Sequence, residues 1–315
     1  MQLKLKNVHL REALFGLCAA AMLCALAPVS ATAEEKAAAD ADGTGKMNLS
    51  KVGKKLANPL GNLWNLSMNF ETPKFFDGDL NAGDPEIGAD MIFQPVLPIP
   101  LWGQGDATWR MITRPIIPLI FSTPVPQGFD DFRHTGGIGD IQLPLLLSFP
   151  ESVVGKWILG AGPLGVFPSA TDDDLGSDQW GLGGAFVVGY KAKKWTSMVF
   201  PNYFWKVGEA GQGDKPDINA GSLLYAFIYE LGDAWQAGTN PTVTYNHAAS
   251  DGNKWNVPIG LFVGKTIKIG KTPVNIKLAA EYSVVSEDDF GKRWAFRIQI
   301  TPVTRALIQN PLFGK

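Results

Sequence analysis

The chain has 315 residues, 45% hydrophobic and 18% charged, with a net charge of −2. Charged residues fall below the roughly 25% of ordinary soluble domains, and the mild acidity offers no surface for nucleic acid. Its two cysteines, Cys18 and Cys24, both precede residue 34, so the rest of the chain has no thiol for a disulfide, a thiolate metal site or thiol catalysis.

Residues 1–33 read as a cleaved export signal. Lys4, Lys6 and Arg11 open it, Ala13 to Val29 form the apolar stretch, and Ala31-Thr32-Ala33 is the small-residue cleavage site. A membrane anchor is disfavoured by the short run, and Leu17 and Leu23 before the cysteines argue against a lipoprotein site. Removing this net +2 segment from −2 leaves −4 on the mature chain. Residues 34–58, rich in Ala, Lys and Asp, carry little to pack. They are expected to form a flexible periplasmic segment, with a plug of the lumen as the alternative.

Residues 59–303 carry short segments of period-two hydrophobicity. Trp64, Leu66, Met68 and Phe70 alternate with Asn65, Ser67 and Asn69; Val274, Ile276, Leu278, Ala280 and Tyr282 alternate with Asn275, Lys277, Ala279 and Glu281. This spacing puts the apolar groups on one side of a strand, and 9–11 residues of it cross a membrane. Strands are expected at 62–71, 86–96, 106–115, 138–148, 156–167, 179–190, 195–206, 218–230, 235–246, 255–265, 273–284 and 293–302. Connections after odd-numbered strands are mostly long and polar, as in 168–178 and 247–254, and those after even-numbered strands are short, as in 191–194 and 268–271. No later apolar run is long enough for a transmembrane helix.

The expected fold is therefore all-β: a transmembrane antiparallel up-and-down β-barrel of about 12 strands in the outer membrane of a Gram-negative cell. An even count puts both chain ends on the periplasmic side. Residues 304–315 form a tail past the last strand. Trp64, Trp157, Trp180, Trp195, Trp235, Trp255 and Trp294 sit near strand starts and read as an aromatic girdle, with a soluble sandwich core as the lesser alternative. Pro95, Pro115, Pro144, Pro163, Pro201, Pro241 and Pro258 fall in or beside strands. Each removes a ladder donor, so bulges or earlier strand ends are expected, chiefly in strands two to four.

Alternation assigns Arg110, Arg114, Asp140, Gln142, Lys277, Glu281, Arg297 and Gln299 to the lumen face. Arg110 and Arg114 share one face of strand three, and pairing Tyr282 with Trp294 would set Glu281 diagonal to Arg297. These residues are candidates for a selective constriction or, equally, for a network that fills the lumen. Eight strands are filled by side chains and 16–18 leave a channel, so twelve decides neither way.

Outside the signal the histidines are His134 and His247, both expected in outer loops. Ser250 follows His247 by three and His134 has only Thr135 beside it, so a Ser–His hydrolase of the outer-membrane phospholipase type is a minor alternative. Asp172, Asp173, Asp174 and Asp178 read as a solvated acidic loop rather than a calcium loop. No P-loop or dinucleotide fingerprint is present, and no cofactor is expected.

Several stretches carry a family resemblance: Asn58 to Leu63, Phe93 to Pro98, Trp109 to Pro118, Gly137 to Asp140, Phe167 to Asp172 with Leu175 to Ser177, and Val263 to Lys265 with Pro273 to Asn275. In their order and spacing they resemble the bacterial outer-membrane proteins labelled "neuromedin U", related to the MetA-pathway phenol-degradation transporters, over roughly residues 56–303. The resemblance implies an outer-membrane barrel of transporter type and no set of catalytic residues. Barrels of this kind end near their last strand, whereas here the chain continues from Thr304, with Phe313 third from the end. The function expected is passive passage of small, aromatic or apolar solutes. Expected partners are outer-membrane lipids, lipopolysaccharide, the outer-membrane assembly machinery and the solute. A filled barrel acting through its outer loops is the main alternative.

Overall fold

The computed structural model describes residues 48–211 and 215–313. The export signal and most of the 34–58 segment lie outside the described residues. After helix α1 (Leu49–Leu56) come β1 (Asn65–Asp77), β2 (Glu86–Trp102), β3 (Trp109–Thr113), β4 (Ile117–Gly128), β5 (Asp131–Ile138) and β6 (Ile141–Ser148). A short helix α2 (Glu151–Val154) precedes β7 (Trp157–Phe167), β8 (Gln179–Lys191), β9 (Trp195–Glu209) and β10 (Asn219–Gly232). The last strands are β11 (Trp235–Thr239), β12 (Thr242–Asn246), β13 (Trp255–Ile269), β14 (Thr272–Val285) and β15 (Gly291–Pro302).

Neighbouring strands pair antiparallel, and β1 closes the sheet by pairing with both β2 and β15, from Met68 opposite Ile300 to Asp77 opposite Gly291. Three pairs of strands, β3 with β4, β5 with β6 and β11 with β12, are each one stave broken by a two- or three-residue gap. The result is a closed barrel of twelve staves. Closure removes the sheet edges, the outer edge of β5 excepted, and satisfies the paired backbone without water.

The breaks answer the proline problem. Pro115 and Pro241 sit in two of the three gaps, where a missing N–H costs no ladder bond. Beside Pro115 the chain re-enters the sheet through one bridge, Ile116 to Gln142, with N···O distances of 2.8 and 3.1 Å. At Pro258 the ladder shifts by a bulge.

Strands one to four differ from expectation, and β2 runs on to Trp102 instead of stopping at 96. β1 runs six residues past 71, across a bulge between Glu71 and Lys74. The stave expected to stop at 115 continues to Gly128, and its partner starts at Asp131 rather than 138. The intervening stretch is thus a hairpin, turning at Phe129-Asp130, and not a loop. Pro115, Pro118, Pro124 and Pro126 masked it, because proline argues against a strand. Among the described residues β5 pairs with β4 alone; at Ile138 Thr171 covers its other edge, with bonds of 2.9 and 3.0 Å.

Burial follows the period of two. In β8, Trp180, Leu182, Phe186 and Val188 are exposed on the outside, while Gln179, Gly181, Ala185 and Val187 are buried inside. Trp157 and Trp235 are exposed at the short-turn end and Trp180, Trp255 and Trp294 at the long-loop end, so the tryptophans form two girdles. Trp64 belongs to neither: it is buried and its Nε1 donates to the Pro98 carbonyl at 2.8 Å. The tail folds back along β2, with the Leu312 and Phe313 amides bonded to the Pro100 and Leu101 carbonyls.

Candidate functional site: the barrel lumen

The lumen changes character from the short-turn end to the long-loop end. At the short-turn end helix α1 sits against the inner wall of β10, β13 and β14. Asn48 caps it through a side-chain oxygen that accepts from the Lys51 N–H at 3.1 Å. Ser50, Gly53, Lys54 and Ala57, at helical spacing, form the docked face. The Ser50 Oγ accepts the Ala234 N–H at 2.9 Å, and Lys54 Nζ donates to the Ala192 and Lys193 carbonyls, both at 2.7 Å. A side chain at Gly53 would come within 2.7 Å of Thr266 Oγ1, so only glycine lets the helix lie this close. Ala57 packs on Ile228 and Phe262. Three residues on, Leu60 enters a cluster of Val96, Ile112, Leu146, Ile158, Val187 and Phe200. The helix and this cluster fill the lower lumen.

Above the cluster lies a cavity of about 70 Å³. Gln94, Arg114, Asn202, Ser222 and Thr242 give it a polar side; Leu164, Phe200 and Leu224 give it an apolar one. Arg114 Nη2 donates to Gln94 Oε1 at 3.0 Å, and the guanidinium carbon stands 5.5 Å from the Phe200 ring centre.

A charged cluster spans β1, β2, β14 and β15. Arg297 Nη2 lies 2.6 Å from Glu281 Oε1 and 2.9 Å from Asn240 Oδ1, and Arg297 Nη1 is 3.9 Å from Glu71. Lys292 donates to Glu71 at 3.1 Å, and Lys74 pairs with Asp90. Three carboxylates meet three cations, so the cluster is balanced and holds four staves together.

The eight lumen candidates thus separate. Tyr282 does pair with Trp294, and Glu281 reaches Arg297 across that diagonal. Gln299 joins a polar group near the short-turn end, 3.0 Å from Ser67 Oγ. Lys277 Nζ sits 4.7 Å over the Phe262 ring. Gln142 holds the lone bridge to Ile116. Arg110 and Arg114 share a face, but fully buried Ile112 stands between them. Arg110 sits low, donating to the Thr108 carbonyl at 3.2 Å, and forms no ring with Arg114.

Asp140 corrects the alternation argument. It stands in the gap between β5 and β6, where period two lapses, and its carboxylate accepts from the Ser169, Ala170 and Ser177 N–H groups at 3.2, 3.3 and 2.7 Å. It therefore anchors the 168–178 loop rather than facing the lumen. Glu71, Lys74, Asp90 and Lys292 are the charges that sequence reasoning missed. Glu71 continues the polar face of Asn65, Ser67 and Asn69; ending the strand at 71 hid what it meets.

The outer loops spend their acids on cations. Asp172 and Asp174 pair with Arg133, and Asp178 lies 2.6 Å from Lys215. Partial burial would raise the Asp172 carboxyl, but the Asp174 N–H and Arg133 outweigh that and hold it below its ordinary value. No metal-binding group of histidines and acids occurs among the described residues. His247 bonds Tyr245 at 3.0 Å, and Ser250 bonds Asn253, so these two do not meet. His134 lies in β5, not in a loop, and its Nδ1 is 3.0 Å from Ser122 Oγ while its Nε2 is 3.0 Å from Glu86. Sequence separation hid this line, because Ser122 is the diagonal neighbour across the β4–β5 hairpin.

No family model matches the chain, and no curated protein matches it. Among solved structures it is similar to the COG4313 outer membrane channel from Pseudomonas putida F1, with a TM-score of 0.55, 14% identity, and coverage of 78% of this chain and 97% of that one. That likeness is one of fold. Weaker likenesses are to the NanC porin (TM-score 0.45, 11% identity, 77% and 99% coverage) and the Pseudomonas putida toluene transporter TodX (0.40, 10%, 80% and 92%).

Proposed function

We propose that the protein is a passive outer-membrane channel for small solutes, with helix α1 and Leu60 as its lower barrier. The observation that carries this reading is an apolar outer wall enclosing a polar, charged lumen with a small cavity at mid-height. A barrel needed only as a scaffold gains nothing from an inward charge without a counter-charge, such as Arg114, which costs desolvation. The solved channel of similar fold and the resemblance to phenol-degradation transporters support the same direction. On this reading Arg114, which only the neutral Gln94 amide answers among the described residues, sets the charge preference, and apolar or aromatic solutes use the Phe200 side of the cavity. The girdles meet lipid and the loops meet lipopolysaccharide.

The test is single-channel conductance of the folded protein in a planar bilayer. Discrete steps are expected, rising in a Gly53→Leu variant whose helix cannot dock. Silence from both proteins, with folding shown by the heat-dependent gel shift, would favour a filled barrel acting through its loops.

A second reading is favoured by the line Ser122, His134, Glu86, which has the hydrogen bonds of a nucleophile, base and orienting acid. His134 and Glu86 are partly exposed there, so water is not excluded. Labelling of the folded protein by a fluorophosphonate, lost in Ser122→Ala, would establish an activated serine nucleophile; an unlabelled protein would dismiss it.

A further inference from the structure

The cavity beside Arg114 holds a charge that the protein leaves unanswered. Among the described residues no carboxylate pairs with Arg114, whose one side-chain acceptor is the neutral Gln94 amide. Its Nε is buried and has no hydrogen-bond partner. Asn202 Oδ1, on the same cavity wall, is likewise buried and unpartnered, while Asn202 Nδ2 donates to Ser222 at 2.7 Å. Arg297, in the same lumen, has Glu281 at 2.6 Å and Glu71 at 3.9 Å. A buried guanidinium without a counter-charge is expensive, and the Phe200 face answers it only in part.

We propose that this cavity binds a short carboxylate of about two to four carbons, its oxygens on Arg114 and its alkyl end against Phe200, Leu164 and Leu224. Guanidinium and carboxylate match in planar geometry, and Nε is the donor left open for that match. Size sets the chain length. A water needs about 10–15 Å³ of such space, so the cavity takes a handful of heavy atoms. Waters alone would satisfy the hydrogen bonds but not the charge. The inference rests on the channel reading only for the route by which the anion arrives; the binding stands on the cavity.

The experiment is equilibrium dialysis of radiolabelled propionate against the folded, detergent-solubilised protein at neutral pH. Saturable binding near one per chain is expected, displaced by acetate and butyrate but not by propionamide. R114Q and N202D, the latter supplying Arg114 with an internal carboxylate, should each weaken it by at least about tenfold, the scale of one charge-assisted bond. If R114Q does not fold, N202D decides alone. Absence of saturable binding, displacement by propionamide, equal displacement by chloride, or wild-type binding by N202D would each overturn the proposal. Glycerol entry into proteoliposomes reads the channel separately. Binding without glycerol entry would keep the site and remove the channel; entry without binding would do the reverse.

Discussion

Arg297 and Arg114 face the same lumen, and the barrel treats them in opposite ways. Arg297 is held by two carboxylates and an asparagine, and those carboxylates are held in turn by Lys292 and by strand pairing. Arg114 has an amide, an aromatic face and a cavity. The first arrangement spends its charge on joining four staves at the seam where the barrel closes. The second keeps its charge available. Inward charge in a narrow barrel is thus of two kinds, and only the unanswered kind bears on what passes.

The contrast can be broken at its strong side first. Arg297→Met leaves Glu281 and Glu71 short of a cation and should cost about 3–5 kcal/mol. The heat-dependent gel shift should then move to lower temperature; an unmoved transition would mean that the cluster does not secure the seam. Arg114→Met removes a charge that nothing pairs, so its stability should match or exceed wild type while reversal potentials in a salt gradient move toward cations. A cost like that of Arg297→Met would erase the distinction between the two. Lys54, answered by two turn carbonyls, is a milder case. Lys54→Ala should loosen helix α1 by about 1–3 kcal/mol and raise open probability in bilayer recordings with little change in melting. Smallest is Arg110→Ala, at the short-turn end and bonded to one carbonyl, which should change stability by no more than about 0.5 kcal/mol and leave ion preference unaltered. A shift in preference as large as that of Arg114→Met would restore the paired-arginine constriction.

Much of this architecture is legible in the residues. Period two marks the staves, and it separates faces well enough to place Lys277, Glu281 and Arg297 inside and Leu278 and Tyr282 outside. It also yields the Tyr282–Trp294 register and with it the Glu281–Arg297 diagonal, because a tight hairpin fixes register locally. The argument failed where the period lapses. Asp140 has the parity of a lumen residue but sits in a gap, and the β4–β5 hairpin carries four prolines in or before its first strand. Trp64 looked like a girdle residue because an indole at a strand start suits either the lipid interface or a buried carbonyl. Nothing in the Lys-rich helix α1 shows that its narrow face, built around Gly53, docks on Thr266 and Gln236.

The faces, the stave count and the apolar exterior follow from neighbours a few residues apart, since a side chain's direction on a strand depends only on its own pleat. Which inward charges meet depends on closure, bulges and stave breaks. Glu71 meets Lys292 from 221 positions away, across the seam between β1 and β15. Among the described residues Arg114 meets no acid: beside the break at Pro115 it lines a cavity walled by β2, β6, β7, β8, β9, β10 and β12. Local alternation decides that a charge points inward; only the assembled barrel decides whether anything there answers it.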